Sequence, residues 1–462
     1  MLNGNKCHIL LLPCPAQGHI NPILQFGKRL ASHNLLTTLV NTRFLSNSTK
    51  SEPGPVNIEC ISDGFDSGGM NAAPSRRAYF DRLESVGSET LFGLIESLRS
   101  RGRPAHVLVY DPFLPWAMNV AERSGLRSVA FFTQPCAVDT IYRHVWEGRI
   151  KVPVTEPVRL PGLPPLEPSD LPSFVTDSDP VINPDLLPLL VNQHKNLDKA
   201  DMVLINSIYE LEHEEFDWME SRLPLPVKSI GPTVPSTYLD NRIPSDSHYG
   251  FNLYTPDTTP YLDWLDSKAP NSVIYVSFGS LSSLSPDQTN EIASGLIATN
   301  KSFIWVVRTS ELAKLPANFT QENASRGLVV TWCDQLDVLA HVATGCFVTH
   351  CGWNSTMEGI ALGVPMVGVP QWSDQPMNAK YVEDVWKVGV RAKTYGKDFV
   401  RGEEFKRCVE EVMDGERSGK IRENAARWCK LAKDSVSEGG SSDKCIKEFI
   451  HQCCNDSKIS LV

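Results

Sequence analysis

Short apolar segments alternate along the chain with longer segments whose apolar residues recur at helical spacing. Apolar runs rich in β-branched residues predict ten buried strands: residues 8–12, 36–40, 107–110, 128–132, 203–206, 272–278, 303–307, 328–332, 346–349 and 365–369. Between them the apolar period becomes helical, as in residues 286–298 and 403–413. Strands that alternate with helices predict an α/β protein, with parallel sheets covered by helices on both faces.

The length of the chain indicates more than one domain. At 462 residues it exceeds what one hydrophobic core usually supports. A stretch rich in Pro, Ser, Asp and Asn, without an apolar period, separates the two halves. We therefore predict an N-terminal domain (1–240), a linker (241–256), a C-terminal domain (257–440) and a terminal helical segment (441–462) that packs on the first domain. Two doubly wound, Rossmann-like domains facing across a cleft are the expected architecture.

Charge and cysteine content exclude several classes of protein. The net charge of −10 argues against a nucleic-acid-binding surface, which needs a basic face. No apolar run approaches the length that spans a membrane, and the early run at 8–15 is too short for a signal peptide. The twelve cysteines form no CxxC pair and have no zinc-finger spacing, so we expect reduced thiols in a cytoplasmic protein.

One predicted strand leads into a sequence that suits an anion. Residues 346–349 end at His350, and a helix is predicted to begin just after Gly352. The free N–H groups and positive dipole of a helix N-terminus favour phosphate. The side chains of His350 and Ser355 add hydrogen-bond donors, so this segment predicts a phosphate site.

Sugar and base contacts are predicted beside the phosphate site. The strand at 365–369 leads to Asp374 and Gln375, a carboxylate and an amide that together can bond the vicinal hydroxyls of a hexose. Trp332 closes the strand at 328–332 and offers a flat face to a base. Contacts for base, phosphate and sugar together indicate a nucleotide-sugar site.

A histidine and an aspartate follow two strands of the first half. His19 lies at the start of a helix predicted to begin near Asn21, and Asp111 directly follows the strand at 107–110. If both strands are central, the two side chains meet at the carboxyl edge of the sheet. The carboxylate would orient the imidazole, whose other nitrogen could take the proton of an acceptor hydroxyl. Alone, His19 could instead be a plain helix-start residue and Asp111 a turn former.

The segment 332–375, with its HCGWNS, GVP and DQ elements, resembles the C-terminal signature of family-1 plant secondary-product glycosyltransferases. The likeness covers the whole chain, including the GHINP and YDPF segments of the first half. It implies the GT-B fold and inverting transfer of glucose from UDP-glucose to a hydroxyl or carboxyl of a steroid, terpenoid, flavonoid or phenolic acid. It also implies that no metal or cofactor is needed and that the protein is a monomer.

The resemblance assigns a role to each matching residue. It makes His19 the general base and Asp111 its partner. Independently of the resemblance, Phe113 and Trp372 are expected to line the acceptor, because they lie next to Asp111 and Asp374 in sequence. Further candidates for this apolar wall are Trp116, Tyr142 and Trp146. The implied donor contacts are Trp332 and Gln335 at the nucleoside, Glu358 at the ribose, Ser280, His350, Asn354 and Ser355 at the diphosphate, and Thr133, Trp353, Asp374 and Gln375 at the sugar. The final glutamine is typical of members that prefer UDP-glucose. Cys333 and Asp334 stand where a proline often precedes Gln335 in the family.

Several alternatives stay open at this point. Ser355 and Glu358 have the spacing of a helix capping box, which would make Glu358 structural. A nicotinamide-dependent oxidoreductase is disfavoured because no G-x-G-x-x-G follows the first strand. A non-catalytic binding protein and a sugar-nucleotide epimerase of the same fold are the remaining alternatives. The D-x-D at 177–179 resembles a metal-binding motif, but its Pro-rich surroundings indicate a solvated turn.

Overall fold

The computed structural model describes residues 6–49, 52–176, 186–252, 260–396 and 399–454. It divides into two compact units. The first comprises Met1–Leu166, Phe174–Leu253 and Asp434–Val462, and the second Glu167–Ser173 and Tyr254–Lys433. The D-x-D at 177–179, the end of the predicted linker and residues 455–462 lie outside the described residues.

The first unit is built on a seven-stranded parallel sheet of order β3-β2-β1-β4-β5-β6-β7. Its strands are β1 (His8–Leu12), β2 (Leu36–Thr42), β3 (Asn57–Ile61), β4 (Val107–Tyr110), β5 (Arg127–Phe132), β6 (Met202–Ile205) and β7 (Val227–Ser229). All five strands predicted for this half are present. The prediction missed β3 and β7, the outermost strands, because β3 is largely solvent-facing and β7 has only three residues.

The second unit has a six-stranded parallel sheet of order β10-β9-β8-β11-β12-β13. Its strands are β8 (Val273–Ser277), β9 (Ser302–Val306), β10 (Gly327–Val330), β11 (Thr344–Thr349), β12 (Met366–Gly368) and β13 (Gly389–Arg391). The prediction missed β13, a three-residue edge strand. Two doubly wound parallel sheets confirm the predicted fold class.

Helices connect the strands on both sides of each sheet. In chain order they are α1 (Gln17–Ser32), α2 (Arg43–Ser48), α3 (Arg76–Arg82), α4 (Ser88–Ser100), α5 (Trp116–Ser124), α6 (Cys136–Trp146), α7 (Ser173–Thr176), α8 (Leu186–Val191), α9 (His213–Arg222), α10 (Tyr261–Asp266), α11 (Pro286–Thr299), α12 (Phe319–Glu322), α13 (Gln335–Ala340), α14 (Trp353–Leu362), α15 (Gln375–Lys380), α16 (Gly402–Met413), α17 (Ser418–Val436) and α18 (Ser441–Cys454). The helices predicted at 286–298 and 403–413 correspond to α11 and α16.

Both sheets reverse their strand order beside the first strand of the unit. In the first unit β1 lies between β2 and β4, and Leu12 pairs with Tyr110 at their carboxyl ends. In the second unit β8 lies between β9 and β11, where Ser277 pairs with Thr349. Ligands of doubly wound sheets bind at such reversal points, outside the carboxyl ends of the strands. The fold therefore directs the search to the loops that follow β1, β4, β8 and β11.

Alternating side chains of the central strands fill a core on each face of the first sheet. Leu10 of β1 belongs to the core on one face, and Ile9 and Leu11 belong to the other. The second core also receives Phe449 of α18, whose ring centroid lies 5.5 Å from that of Phe26. The C-terminal helix α18 thus packs within the first unit.

Two segments are placed differently from the predicted domain limits. The described part of the predicted linker, residues 241–252, packs in the first unit, because buried Asp246 accepts a hydrogen bond from Lys28 Nζ at 2.7 Å. Residues Glu167–Ser173, predicted to be part of domain 1–240, belong to the second unit. There the carboxylate of Asp170 pairs with Arg391 at 2.8 Å.

Within the described ranges, the structure has no helix whose length and apolar character would let it cross a membrane.

Candidate functional site

The structure brings His19 and Asp111 together at the carboxyl edge of the first sheet. His19 Nδ1 lies 2.6 Å from Asp111 Oδ2, and the two side chains are 19% and 0% exposed. His19 is the third residue of α1, which begins at Gln17 rather than near Asn21 as predicted. Because a carboxylate only accepts, Nδ1 carries the shared proton and Nε2 remains the basic nitrogen. No hydrogen bond to Nε2 occurs within the part of the chain that the structure describes.

Asp111 is fixed by the backbone on two sides. Oδ2 also accepts a hydrogen bond from the Cys14 N–H at 3.3 Å, and Oδ1 accepts one from the Phe113 N–H at 3.0 Å. The backbone N–H of Asp111 donates to the carbonyl of Leu12 at 2.9 Å, which ties the residue to the end of β1. These bonds hold the carboxylate in a fixed orientation, in which Oδ2 also contacts His19 Nδ1.

Two predicted residues contact the imidazole of His19. The hydroxyl of Thr133, predicted as a sugar contact, lies 3.0 Å from His19 Nδ1. The ring of Phe113 meets the imidazole edge-on, with 4.8 Å between centroids and 73° between planes. Phe113 is half-buried, whereas the further acceptor candidates Trp116 and Tyr142 are core residues.

In the second unit the phosphate-site prediction falls on the start of α14. Helix α14 begins at Trp353 with Gly352 as its N-cap residue, immediately after the turn that ends β11. Ser355 and Glu358 therefore lie inside the helix, so the capping-box alternative is wrong. The first backbone N–H groups of an α-helix lie outside its own hydrogen-bond ladder and point along the helix axis, which is the geometry of an anion site.

The ring of His350 is confined between two glycines. A Cβ built on Gly352 would lie 2.4 Å from His350 Nε2, and one built on Gly279 would lie 2.7 Å from it. Burial lowers the pKa of His350 to about 4, so the ring is neutral near pH 7. Its Nδ1 is buried and has no hydrogen-bond partner among the described residues. The ring is thus held in a narrow slot beside the start of α14.

Gln335, Ser355 and Glu358 form one hydrogen-bonded group. The side-chain amide of Gln335 donates to Ser355 Oγ at 3.0 Å and to Glu358 Oε2. Its carbonyl oxygen accepts from the hydroxyl of Tyr275 on β8 at 3.2 Å. Sequence reasoning missed Tyr275, because a tyrosine within a buried apolar strand has the signal of a core residue. The group sets the orientation of Glu358, the predicted ribose ligand.

Asp374 and Gln375 lie in a tightly bonded loop, residues 371–375, that follows β12. Gln375 Oε1 accepts from the N–H groups of Gln371 and Trp372 at 2.9 and 3.1 Å. Asp374 Oδ2 accepts from Asn378 Nδ2 at 2.7 Å. Asn378 was not predicted, and only its position one turn after Asp374 could have indicated it. With Oε1 occupied, the Nε2 group of Gln375 is the end that can donate to a sugar.

The remaining residues predicted to bind the donor differ in burial and in their position relative to the helices and strands. Trp353 is 4% exposed and packs on Trp386, so its indole is a core side chain, and only its backbone lies at the predicted phosphate site. Trp332 is half-buried and lies beyond the end of β10, not within a strand as predicted. Ser280, Asn354 and Trp372 are half-buried in loops or at the start of α14. The guanidinium of Arg308, which was not predicted, binds the carbonyl of Ser280.

Comparisons with known proteins identify the family of the chain. A model of the UDP-glucoronosyl and UDP-glucosyl transferase family matches residues 254–438, the part of the chain that carries the predicted donor residues except Thr133. Crocetin glucosyltransferase 2 of Crocus sativus is 90% identical over 462 residues, which is 100% of both chains. UDP-glycosyltransferase 74E2 of Arabidopsis thaliana is 47% identical over 97% of this chain and 99% of its own.

A solved structure shares the fold over nearly the whole length. The crystal structure of Os79 from O. sativa in complex with UDP is 46% identical and superposes with a TM-score of 0.90, covering 96% of this chain and 99% of its own. The relatives exclude the oxidoreductase, the epimerase and the non-catalytic binding protein as alternatives. Sequence identities of 90% and 47% over nearly the full length show that the chain belongs to the family-1 plant UDP-glycosyltransferases. It is therefore a UDP-sugar-dependent glycosyltransferase of small plant metabolites.

Proposed function

We propose that this protein transfers glucose from UDP-glucose to an apolar plant metabolite, with crocetin as the first acceptor to test, and with inversion at the anomeric carbon. The observation that carries the proposal is the pairing of His19 Nδ1 with Asp111 at 2.6 Å, because it leaves Nε2 as a base. Crocetin is chosen because the relative named for it is 90% identical over the full length.

In the proposed reaction the first unit supplies the base. An acceptor hydroxyl or carboxyl gives its proton to His19 Nε2, or is already ionised in the case of a carboxyl. The acceptor oxygen forms a bond to the anomeric carbon as the bond from that carbon to the UDP oxygen breaks. UDP leaves with the electron pair. Asp111, fully buried, balances the positive charge that His19 gains on taking the proton.

The second unit binds the donor in the same proposal. The start of α14 and the ring of His350 hold the diphosphate, with Ser280, Asn354 and Ser355 beside them. Trp332 stacks on uracil, and Glu358, oriented by Gln335, binds the ribose. Asp374 and Gln375 bind the glucose. The helix N-terminus and these donors stabilise the leaving diphosphate, so we propose that no metal ion is required.

An acceptor panel with UDP-glucose tests the proposal. Crocetin, flavonols, phenols, aromatic carboxylic acids, triterpenoids and steroids are each incubated with the enzyme, with and without EDTA, and products are identified by mass spectrometry. We expect a gain of one hexose on crocetin that EDTA does not reduce. Loss of product in EDTA would overturn metal independence. Transfer to another class of acceptor but not to crocetin would show that crocetin is the wrong acceptor. Absence of product with every acceptor would contradict the proposed reaction.

Replacing Gly352 by alanine is expected to weaken UDP binding by about 10-fold, which corresponds to about 1.4 kcal/mol. The backbone of Gly352 (φ −60°) accepts any residue, so the cost comes from the contact alone. The new Cβ would lie 2.4 Å from His350 Nε2 and must displace the imidazole or the start of α14. Titration calorimetry with UDP measures the effect.

Gly419→Ala is the matched control for this substitution. A Cβ on Gly419, in α17, would meet nothing within 4 Å. We expect it to bind UDP as the unmodified protein does. Wild-type UDP affinity in Gly352→Ala, with an unchanged melting temperature, would show that the slot around His350 does not receive the diphosphate.

A further inference from the structure

A short segment from the first half of the sequence is bonded to the loop that carries the proposed sugar ligands. Residues Glu167–Ser173 belong to the second unit. The Ser173 N–H donates to the carbonyl of Ser373 at 2.8 Å, and Ser173 Oγ accepts from the Ser373 N–H at 2.7 Å. One serine thus engages both backbone polar groups of the residue that immediately precedes Asp374 and Gln375.

Ser373 needs such support because of its backbone conformation. Its φ is +64°, in the left-handed region that residues other than glycine rarely adopt. The unfavourable conformation persists only where surrounding contacts determine it. Gln375 Oε1 accepts from the N–H groups of Gln371 and Trp372, whereas Ser173 bonds the backbone N–H and carbonyl of Ser373 itself.

The segment that carries Ser173 is itself anchored by buried charge. The carboxylate of Asp170 is 2% exposed and pairs with Arg391 at 2.8 Å and with Lys380 at 3.3 Å. It also accepts from the Glu167 N–H at 3.0 Å, which closes a short turn before Ser173. Lys380 ends α15, the helix that begins at Gln375, so the anchor and the loop are joined to the same helix.

We propose that Ser173 is a positioning residue for glucosyl transfer, which sets the loop 371–375 so that Asp374 and Gln375 meet the glucose of the donor. The proposal rests on the proposed function, in which these two side chains bind the sugar. It goes further by assigning the geometry of the sugar site to a residue about 200 positions earlier, outside the signature segment 332–375. The uracil and diphosphate contacts lie on other loops and do not depend on Ser173.

The test separates sugar binding from nucleotide binding. In Ser173→Ala the Ser373 N–H loses its acceptor, while the contacts of Asp170 with Arg391 and Lys380 are retained. We expect the KM for UDP-glucose to rise about 10-fold, since small displacements of binding groups cost rate and affinity steeply. The dissociation constant of UDP, measured by calorimetry, is expected to be unchanged. Ser173→Thr, which keeps the hydroxyl, is expected to restore most of the UDP-glucose affinity.

Ser169→Ala is the matched control, because Ser169 is exposed and its bond to Arg391 is made by the backbone carbonyl, which the substitution keeps. It is expected to behave as the unmodified protein. Asp170→Asn provides a second route to the same effect, since it weakens the anchor without touching the loop. A rise in the UDP-glucose KM with unchanged UDP binding is expected there too.

The outcomes distinguish failure of this inference from failure of the proposed function. Gln375→Ala is measured in parallel and is expected to raise the UDP-glucose KM. If Gln375→Ala does so and Ser173→Ala does not, the positioning role is wrong while the sugar site stands. If Gln375→Ala has no effect, the sugar site itself is wrong. Equal loss of UDP and UDP-glucose affinity in Ser173→Ala would also overturn the inference, because it would indicate a general disturbance of the unit.

Discussion

Replacing His19 by alanine is expected to lower kcat for glucosyl transfer to a hydroxyl acceptor by about 10³-fold. The imidazole is the basic group that the structure places at the strand-order reversal of the first sheet, with Nε2 available and Nδ1 committed to Asp111 at 2.6 Å. Without it, the acceptor hydroxyl must lose its proton to water. The measurement is initial velocity at saturating UDP-glucose and acceptor, with product identified by mass spectrometry.

The affinity of the protein for UDP should not change in His19→Ala. His19 is part of the first unit, whereas the proposed uracil and diphosphate contacts belong to the second. The dissociation constant of UDP is therefore expected to be the same in His19→Ala as in the unmodified protein. His213→Ala is a suitable control, because His213 is an exposed residue at the start of α9. Transfer that survives His19→Ala at the normal rate would refute the mechanism and leave the family assignment intact.

The chemistry of the acceptor adds a further expectation to the His19 experiment. A carboxyl acceptor is already ionised near neutral pH, so it needs less help from a base than an alcohol does. The loss on His19→Ala should therefore be smaller for carboxyl than for hydroxyl acceptors. Equal losses for both would indicate that His19 contributes mainly by orienting the acceptor.

The central strands and the pairing of His19 with Asp111 could be predicted because each rests on a local pattern. Continuous apolar runs mark β1, β4, β8 and β11, which are buried throughout, and the rule for doubly wound sheets then locates the loops that follow them. His19 and Asp111 are 92 residues apart in sequence, yet both follow adjacent central strands. The strand topology alone was therefore sufficient to predict that these two side chains lie close together.

What the sequence did not reveal depends on contacts between distant or weakly patterned residues. The edge strands β3, β7 and β13 are short or solvent-facing and lack a clear apolar run. The bond between Tyr275 and Gln335 joins a strand to the first residue of α13, and no sequence motif connects the two. In each case the deciding factor was tertiary packing.

Asp111→Asn is expected to lower kcat by about 10²-fold or more while the protein remains folded. The amide has the shape of the carboxylate and can still accept one or two of the hydrogen bonds from Cys14, Phe113 and His19. In neither orientation can it balance the positive charge that His19 gains on taking the acceptor's proton. In one orientation its NH₂ group also faces His19 Nδ1 and would move the ring proton to Nε2, removing the base.

Asp111→Ala separates the structural role of this side chain from the chemical one. The buried N–H groups of Cys14 and Phe113 would both lose their acceptor, at a cost of about 1–3 kcal/mol each. We therefore expect Asp111→Ala to have a clearly lower melting temperature than Asp111→Asn. If both variants keep the kcat of the unmodified protein, the proposed role of Asp111 is excluded.

The double variant His19→Ala/Asp111→Asn shows whether the two residues act as one unit. If Asp111 contributes only through the imidazole, then removing its charge has no further effect once the imidazole is absent. We expect kcat of the double variant to equal that of His19→Ala alone, so that the two losses are strongly non-additive. Multiplication of the separate losses would mean that Asp111 acts on the substrate directly. Because Asp111 is fully buried behind His19 Nδ1, the structure favours non-additive loss.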